Sequence, residues 1–290
     1  MITEPAHLDL TDNGTLNALL QRHGFYTRKS LGQHFLISSK ALQAILDACM
    51  LEDGLPILEI GPGIGVVTRA LAERGAQVTA VEIDPRALQV LDETVGAFPN
   101  IHLQRGDILA VDLPALLGDR RWTVVGNLPY YITTPVLARI LEVAPWVERA
   151  VFMVQREVGE RLQAPPGSKI YGALSVFAQV YAEVERVARV PKGAFFPPPT
   201  VDSMVIRLTM HAQPLVPLAL REMFFQVVRA AFGQRRKTLE NALAGGGMLG
   251  GERAALSDVL RAVNIVPSRR GETLSIAEFL RITEEIARVS

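Results

Sequence analysis

The chain has 290 residues, enough for one large or two modest domains. Its 49% apolar content supplies a core, 21% charged residues is ordinary for a soluble protein, and 30 Lys+Arg against 30 Asp+Glu leave no global field that draws it to nucleic acid. Cys49 is the single cysteine, which excludes an internal disulfide and a cysteine-cluster metal site; the five histidines are scattered without metal-ligand spacing, so no metal is expected.

Glu4, Asp9 and Asp12, with no apolar segment among them, argue against a signal peptide. No apolar run reaches the ~20 residues that a membrane helix needs. The expectation is a cytoplasmic protein with no membrane association. Charge is uneven along the chain: residues 214–290 hold 11 Lys+Arg against 8 Asp+Glu, a net of +3, and residues 1–213 hold 19 against 22, a net of −3.

Residues 15–23 read as a short helix within an N-terminal arm (1–30), with Leu16, Leu19 and Leu20 on one stripe and Gly24 closing it. Arg28-Lys29-Ser30-Leu31-Gly32-Gln33-His34-Phe35-Leu36 is a basic loop that ends in apolar residues. Ser38 or Ser39 then caps a helix that turns Ala41, Leu42, Ile45 and Leu46 inward. Residues 57–60 form a short apolar strand that runs into Gly61-Pro62-Gly63-Ile64-Gly65, followed by a helix over 66–74 stopped by Gly75. The dinucleotide fingerprint places its third glycine later, but here the spacing stays at two and position 66 is Val. With Glu59 before the turn, the loop suits S-adenosylmethionine (SAM) better than NAD. Glycine lets the backbone approach a ligand that a Cβ would block.

A strand over 77–83 ends at Glu82-Ile83-Asp84. An acid about 20 residues beyond the glycine turn is placed to accept from both ribose hydroxyls. After a helix over 85–95, a strand over 101–105 ends at Gly106-Asp107. Asp107 reads equally as a turn residue and as an acceptor for an adenine amino group.

Val124-Val125-Gly126-Asn127-Leu128-Pro129-Tyr130-Tyr131 is a buried strand end broken by Gly126 and Pro129, so that Asn127 and Tyr130 emerge at its carboxyl edge. Read alone, Asn-Leu-Pro-Tyr is also a strand-ending turn. Chemically it suits a base's exocyclic amine, whose lone pair is delocalised into the ring. The Asn127 side chain and a main-chain carbonyl beside Pro129 can both accept from that amine and favour a pyramidal nitrogen. Tyr130 offers a face for stacking.

A helix over 135–142, a strand over 149–155, a loop at 165–169 and a helix running into a strand over 174–190 follow. In Phe195-Phe196-Pro197-Pro198-Pro199-Thr200-Val201-Asp202-Ser203 the prolines stiffen the chain and present Phe195 or Phe196 as a second stacking platform, or cross over with a buried Phe. A strand over 204–210 follows a strand directly. The expected fold is therefore α/β, a Rossmann-like and mostly parallel sheet with one antiparallel strand. Gln213-Pro214-Leu215-Val216-Pro217 marks the boundary between a domain at 1–213 and a small all-α domain at 214–290, with helices at 218–232, 236–243, 253–263 and 275–288. Arg229, Arg235, Arg236 and Lys237 put four cations within nine residues and no acid. They read as RNA phosphate contacts or as a solvated helix face.

With these residues placed, nearly the whole chain resembles the small-subunit ribosomal RNA adenine dimethyltransferases of the KsgA type. The resemblance rests on Lys29 through Leu36, Glu59 through Gly65, Glu82, Gly106-Asp107, Asn127 through Tyr130, Phe195 through Ser203, and Arg235-Arg236-Lys237-Thr238-Leu239-Glu240-Asn241. It implies a SAM-dependent enzyme that adds two methyls to N6 of each of two adjacent adenines. The target it implies is a hairpin loop near the 3′ end of small-subunit rRNA, within an assembling 30S-type subunit, with a role in subunit maturation. By resemblance His34, Leu36, Gly61, Gly63, Glu82, Ile83, Asp107, Ile108 and Asn127 line the SAM site. Asn127, Leu128, Pro129, Tyr130 and Phe195 hold the acceptor base, and the protein acts as a monomer. Position 34 is often Asn in relatives, so His34 is a departure. The nearest rival is the macrolide-resistance type acting on large-subunit rRNA, from which the tail at 235–241 argues away. DNA adenine or protein-glutamine methylation also uses such tetrapeptides. A non-catalytic assembly factor that retains SAM affinity is the rival of another class, and intact Asn127, Tyr130 and Glu82 argue against it.

Overall fold

The computed structural model describes residues 8–25, 33–234 and 236–290. The Lys29 to Gly32 part of the basic loop, and Arg235, lie outside the described residues. In chain order the elements are α1 (Asn13–Arg22), β1 (Phe35–Leu36), α2 (Ser39–Ala48), β2 (Ile57–Ile60), α3 (Val66–Glu73), β3 (Val78–Glu82), α4 (Pro85–Val95), β4 (Ile101–Arg105), α5 (Leu113–Leu117), β5 (Trp122–Asn127), α6 (Thr133–Glu142), β6 (Val147–Gln155), α7 (Arg156–Leu162), α8 (Ala173–Tyr181), β7 (Ala182–Val190), β8 (Phe195–Phe196), β9 (Ser203–Met210), α9 (Arg221–Gly233), α10 (Leu239–Gly245), α11 (Arg253–Ala262) and α12 (Ile276–Val289).

Seven strands form one sheet in the order β4-β3-β2-β5-β6-β9-β7. The pairs from β4 through β6 are parallel, and β9 runs antiparallel to β6. The central strands read as continuous apolar runs because helices cover both faces. The order reverses at β2: the chain winds outward through β3 and β4, then returns to lay β5 on the other side. A crevice opens at such a reversal, at the carboxyl ends of β2 and β5. The helix starts follow local chemistry. Asp12, Ser38 and Asp84 each accept from a first-turn N–H, of Thr15, Ala41 and Arg86, and Pro85 opens α4 where its missing donor costs nothing.

The helix expected inside the N-terminal arm is a core element. Leu16, Leu19 and Leu20 of α1 are buried in one cluster with Phe25, Phe35, Ile45 and Leu71. Arg22 and His23 at its end both reach Glu93 of α4, at 2.5 and 2.6 Å.

The single cut expected after 213 is corrected. One compact unit comprises the chain up to Gly159 together with Glu185–Met210; the other comprises Glu160–Val184 together with His211–Ser290. The reason is aromatic packing within the second unit. Tyr171 meets the Phe232 ring edge-on at 5.8 Å, and Phe177 of α8 lies 5.4 Å from Phe225 of α9. Further along, Phe224 and Phe279 join α9 to α12. Among the described residues no helix is long and apolar enough to cross a membrane.

Gly65 combines a left-handed backbone with close packing. Its φ is +92°, and a Cβ there would meet Thr94 Oγ1 at 3.0 Å and Leu91 Cδ2 and Val95 Cγ1 at 3.1 Å. Backbone strain and overpacking add, so Gly65→Ala is expected to lower stability by about 2–4 kcal/mol, read as a drop in urea midpoint at unchanged slope.

Candidate active site

The crevice at the reversal of strand order holds a cavity of about 390 Å³, a size ordinary for small-molecule sites. Its floor is the turn from β2 into α3. Gly61, Gly63 and Gly65 all have positive φ, at 65°, 61° and 92°, a conformation that L side chains adopt only with strain. The turn is tied to the next strand by a hydrogen bond from the Gly63 N–H to Glu82 Oε2, at 3.1 Å.

Glu82, at the end of β3, is held from two sides, since its Oε1 also accepts from the Asp84 N–H at 2.8 Å. Burial pushes its carboxyl above the usual range, and the main-chain donors at Asp84, Gly63 and Ile83 oppose that shift. Each oxygen keeps a lone pair for a ligand hydroxyl. Asp84 moves the other way. Burial raises it, but the Arg86 side chain and backbone and the Gln33 amide together bring it below the ordinary value. Asp107 follows β4 and accepts from the Leu109 N–H through Oδ1 at 2.9 Å, leaving Oδ2 for a ligand. The exposed Ile83 and the buried Ile108 both line the cavity, and supply apolar surface for a flat ring between the two acids.

Asn127 ends β5 and lines the same cavity. Its Nδ2 donates to the main-chain carbonyl of His34 at 3.0 Å. Only the nitrogen of an amide can face a carbonyl oxygen, so Oδ1 is left as the free acceptor. The Leu128 N–H is bound to the Met153 carbonyl and its side chain is buried. The Pro129 carbonyl accepts from the Ile132 N–H and the Thr133 hydroxyl at the start of α6. The main-chain oxygen beside Pro129 that the helix start does not engage is therefore that of Leu128. The Tyr130 hydroxyl and Ser203 Oγ share a hydrogen bond at 3.1 Å, and the Tyr130 ring lies near-parallel to the His34 imidazole.

Of the residues singled out from sequence, the structure gathers His34, Leu36, Gly61, Gly63, Glu82, Ile83, Asp107, Ile108, Asn127 and Pro129 around this cavity. Tyr130 adjoins it through His34. Phe195 is a correction. It pairs with Leu36 across the antiparallel β1–β8 ladder, is 3% exposed, and belongs to the hydrophobic core, so its ring offers no free face; Phe196, the next residue, is half-buried. Arg229, Arg236 and Lys237 are exposed, on α9 and the turn after it. They belong to the second unit. Among the other lining residues, Tyr131 and Glu59 were quoted within sequence motifs but given no binding or catalytic role of their own. Tyr131, 59% exposed, lines the mouth; the doubled tyrosine was its signal. Glu59 lies in the wall, 3% exposed, with no hydrogen bond to its Oε2. Burial, with the Glu82 charge adding to it, pushes its carboxyl up to about 8.

A glycine turn after the first strand of a mostly parallel sheet, acids closing the next two strands and Asn-Leu-Pro-Tyr closing the fourth together define a Rossmann-like methyltransferase. The family model described as ribosomal RNA adenine dimethylase matches residues 24–282. The chain is 43% identical over 286 residues to the ribosomal RNA small subunit methyltransferase A of Geobacillus thermodenitrificans, covering 97% of this chain and 98% of that one. Identity is also 43% over 274 residues to the protein of that name from Alkaliphilus oremlandii, covering 93% and 95%. Among solved structures, the 23S rRNA methyltransferase ErmE is 30% identical with a TM-score of 0.68, over 87% of this chain and 99% of that one. A dimethyladenosine transferase from Plasmodium falciparum shares the fold, at 23% identity and a TM-score of 0.75 over 88% and 98%. The chain belongs to the ribosomal RNA adenine dimethylase family, and it is an enzyme of that class.

The Glu59 carboxyl has an ordinary value of 4.5 and a folded value of about 8. Between those values the folded state binds more protons than the unfolded state, so Glu59 costs stability progressively as pH rises from about 4.5 to about 8. Glu59→Gln removes that dependence. Its urea midpoint is expected to gain on the wild type between pH 5 and pH 8, and a difference that stays constant with pH would count against the assignment.

Proposed function

We propose that the cavity binds SAM and that the enzyme dimethylates N6 of two adjacent adenines in the 3′-terminal hairpin loop of small-subunit rRNA, within an assembling 30S-type subunit. The observation that carries this reading is the Asn127 amide, fixed by His34 so that its oxygen is the open acceptor at the end of β5. Glu82 would accept from the ribose hydroxyls and Asp107 from the adenine amino group of the cofactor, with Ile83 and Ile108 offering apolar surface to its ring. Bound there, SAM supplies an electrophilic methyl carbon on a sulfonium.

The acceptor adenine leaves the RNA stack and lies against Tyr130. Asn127 Oδ1 and the Leu128 carbonyl accept from its N6 amino group and aim the lone pair. With SAM bound, the methyl would pass to that nitrogen as the C–S bond broke with its electron pair going to sulfur, and the N6 proton would pass to water. No base near pH 7 is required, because the proton leaves after the bond has formed. Positioning and fixed dipoles therefore carry the rate. On this reading Asn127→Ala lowers methyl transfer to undermethylated small subunits by about 100-fold or more, measured with labelled SAM; a wild-type rate would sink it.

Assignment to the small subunit draws on the 43% identity to relatives named for it, against 30% to ErmE. The ErmE likeness favours large-subunit rRNA as the second reading, and mapping the methylated adenines separates the two. The exposed cations Arg229, Arg236 and Lys237, with Arg235 in the same run, contact RNA phosphates. Replacing Arg236 and Lys237 by Ala is expected to flatten the plot of log affinity against log salt by about 0.7–0.9 per lost contact. The enzyme acts as a cytoplasmic monomer, and sedimentation at micromolar concentration tests the monomeric state.

A further inference from the structure

The His34 side chain does something that its place in the cofactor wall does not require. Its Nδ1 lies 2.7 Å from the Pro197 carbonyl oxygen. A carbonyl only accepts, so Nδ1 carries the proton and donates. Pro197 lies in the Phe195-to-Ser203 segment, and that segment's far end carries Ser203, whose Oγ meets the Tyr130 hydroxyl. The His34 ring itself runs near-parallel to the Tyr130 ring, with centroids 6.3 Å apart and planes 27° apart. A chain of contacts results: the imidazole holds the Pro197 carbonyl, Ser203, which opens β9 opposite Gln155 of β6, holds the Tyr130 hydroxyl, and the imidazole lies near-parallel to the Tyr130 ring. The main chain of His34 separately holds Asn127.

We infer that His34 is a positioning residue for the acceptor base, acting through the Nδ1–H bond that fixes the Pro197 carbonyl and, with it, the setting of Tyr130. The inference rests on the reading that Asn127 and Tyr130 receive that base. It divides one residue between two tasks. The carbonyl orients the amide, which any side chain at position 34 would leave intact. The side-chain donor orients the stacking platform. Three prolines keep the segment extended but do not choose its distance from Tyr130, since proline restricts φ and contributes no donor. The β1–β8 ladder sets the segment beside β1 through main-chain bonds, and the His34 imidazole adds a side-chain tie one residue further along.

The donor requirement gives a sharp test. The side-chain nitrogen of Asn superposes on Nδ1 of His, so His34→Asn keeps the donor and discards the ring. His34→Phe keeps a ring and discards the donor, and His34→Leu discards both. SAM dissociation constants, by calorimetry, and kcat on undermethylated small subunits are measured for all three. The expected result is a kcat at saturating SAM at least tenfold higher for His34→Asn than for His34→Phe or His34→Leu, with each variant's kcat set against its own SAM dissociation constant. Wild-type kcat in the Phe variant overturns the inference, as does an Asn variant as impaired as the Phe variant, or a loss that resides in SAM binding. Two aromatic-or-apolar replacements guard against one that fails to fold. Asn127→Ala run alongside separates the two ideas: if it is inactive while all His34 variants are active, only the inference about His34 falls.

Discussion

Asn127 has a donor side and an acceptor side, and the fold commits the donor to the His34 carbonyl at 3.0 Å. Rotating the amide by half a turn would set oxygen against oxygen and leave the carbonyl unpaired. The net worth of such a bond is only about 1 kcal/mol, but an unsatisfied partly buried group adds about 1–3 kcal/mol. Together they favour one orientation by roughly a hundredfold. On the proposed reading the chemistry at the carboxyl end of β5 follows from that choice, because an amide presenting its NH2 to an incoming amino group could not aim a lone pair. Two distant segments meet to make it: the strand end at 127 and the loop at 34, the latter held in place where β1 pairs with β8 and the Ile37 N–H reaches the Ala194 carbonyl.

The electrostatics of the cavity favour a cation. Glu59, Glu82, Asp84 and Asp107 line it, and among the described lining residues there is no Lys or Arg. The four acids are not equivalent. Asp84 is brought down by Arg86 and Gln33 and is ionised, whereas burial lifts Glu59 to about 8, so that it is largely neutral at pH 7. A sulfonium with an ammonium group suits such a wall. A polyanion does not, since its phosphates gain nothing from approaching ionised carboxylates. On the proposed reading the nucleic acid keeps its backbone away and sends in a base alone, which is the geometry of a flipped nucleotide. The cations that suit phosphate belong to the second unit, on α9 and the turn after it.

Where local chemistry decides, sequence reading and structure agree closely. The span of β4 and the start of α4 at Pro85 follow from alternating hydrophobicity and a capping aspartate. The glycine turn and its two partner acids were legible because each occupies a strand's carboxyl end, which parallel topology brings to one edge. What was not legible depended on contacts between segments far apart in the chain. A cut at 213 overlooks residues 160–184, because Tyr171 and Phe177 reveal their partners, Phe232 and Phe225, only once the chain is folded. Phe195 or Phe196 reads as a platform beside three prolines, yet strand pairing with β1 buries Phe195 fully and leaves Phe196 half-buried against the core. A bare sequence does not distinguish the two, since adjacent strand residues face opposite sides and the register decides which is which.

On the proposed reading the same acceptors must serve twice, because the second transfer begins from an amine that has already lost one N–H. Flexible acceptors would follow the first proton and be misplaced for the second. Here neither moves easily. The Asn127 oxygen is fixed through its own nitrogen. The Leu128 carbonyl sits between a peptide N–H bonded to Met153 and a proline whose ring locks the following φ. Pro129 is fixed in turn by the first turn of α6, which uses its carbonyl. A monomethylated amine can then give its remaining hydrogen to either oxygen without any rearrangement of the protein. On this reading both acceptors engage the NH2 group in the first transfer, and one suffices for the single N–H left in the second.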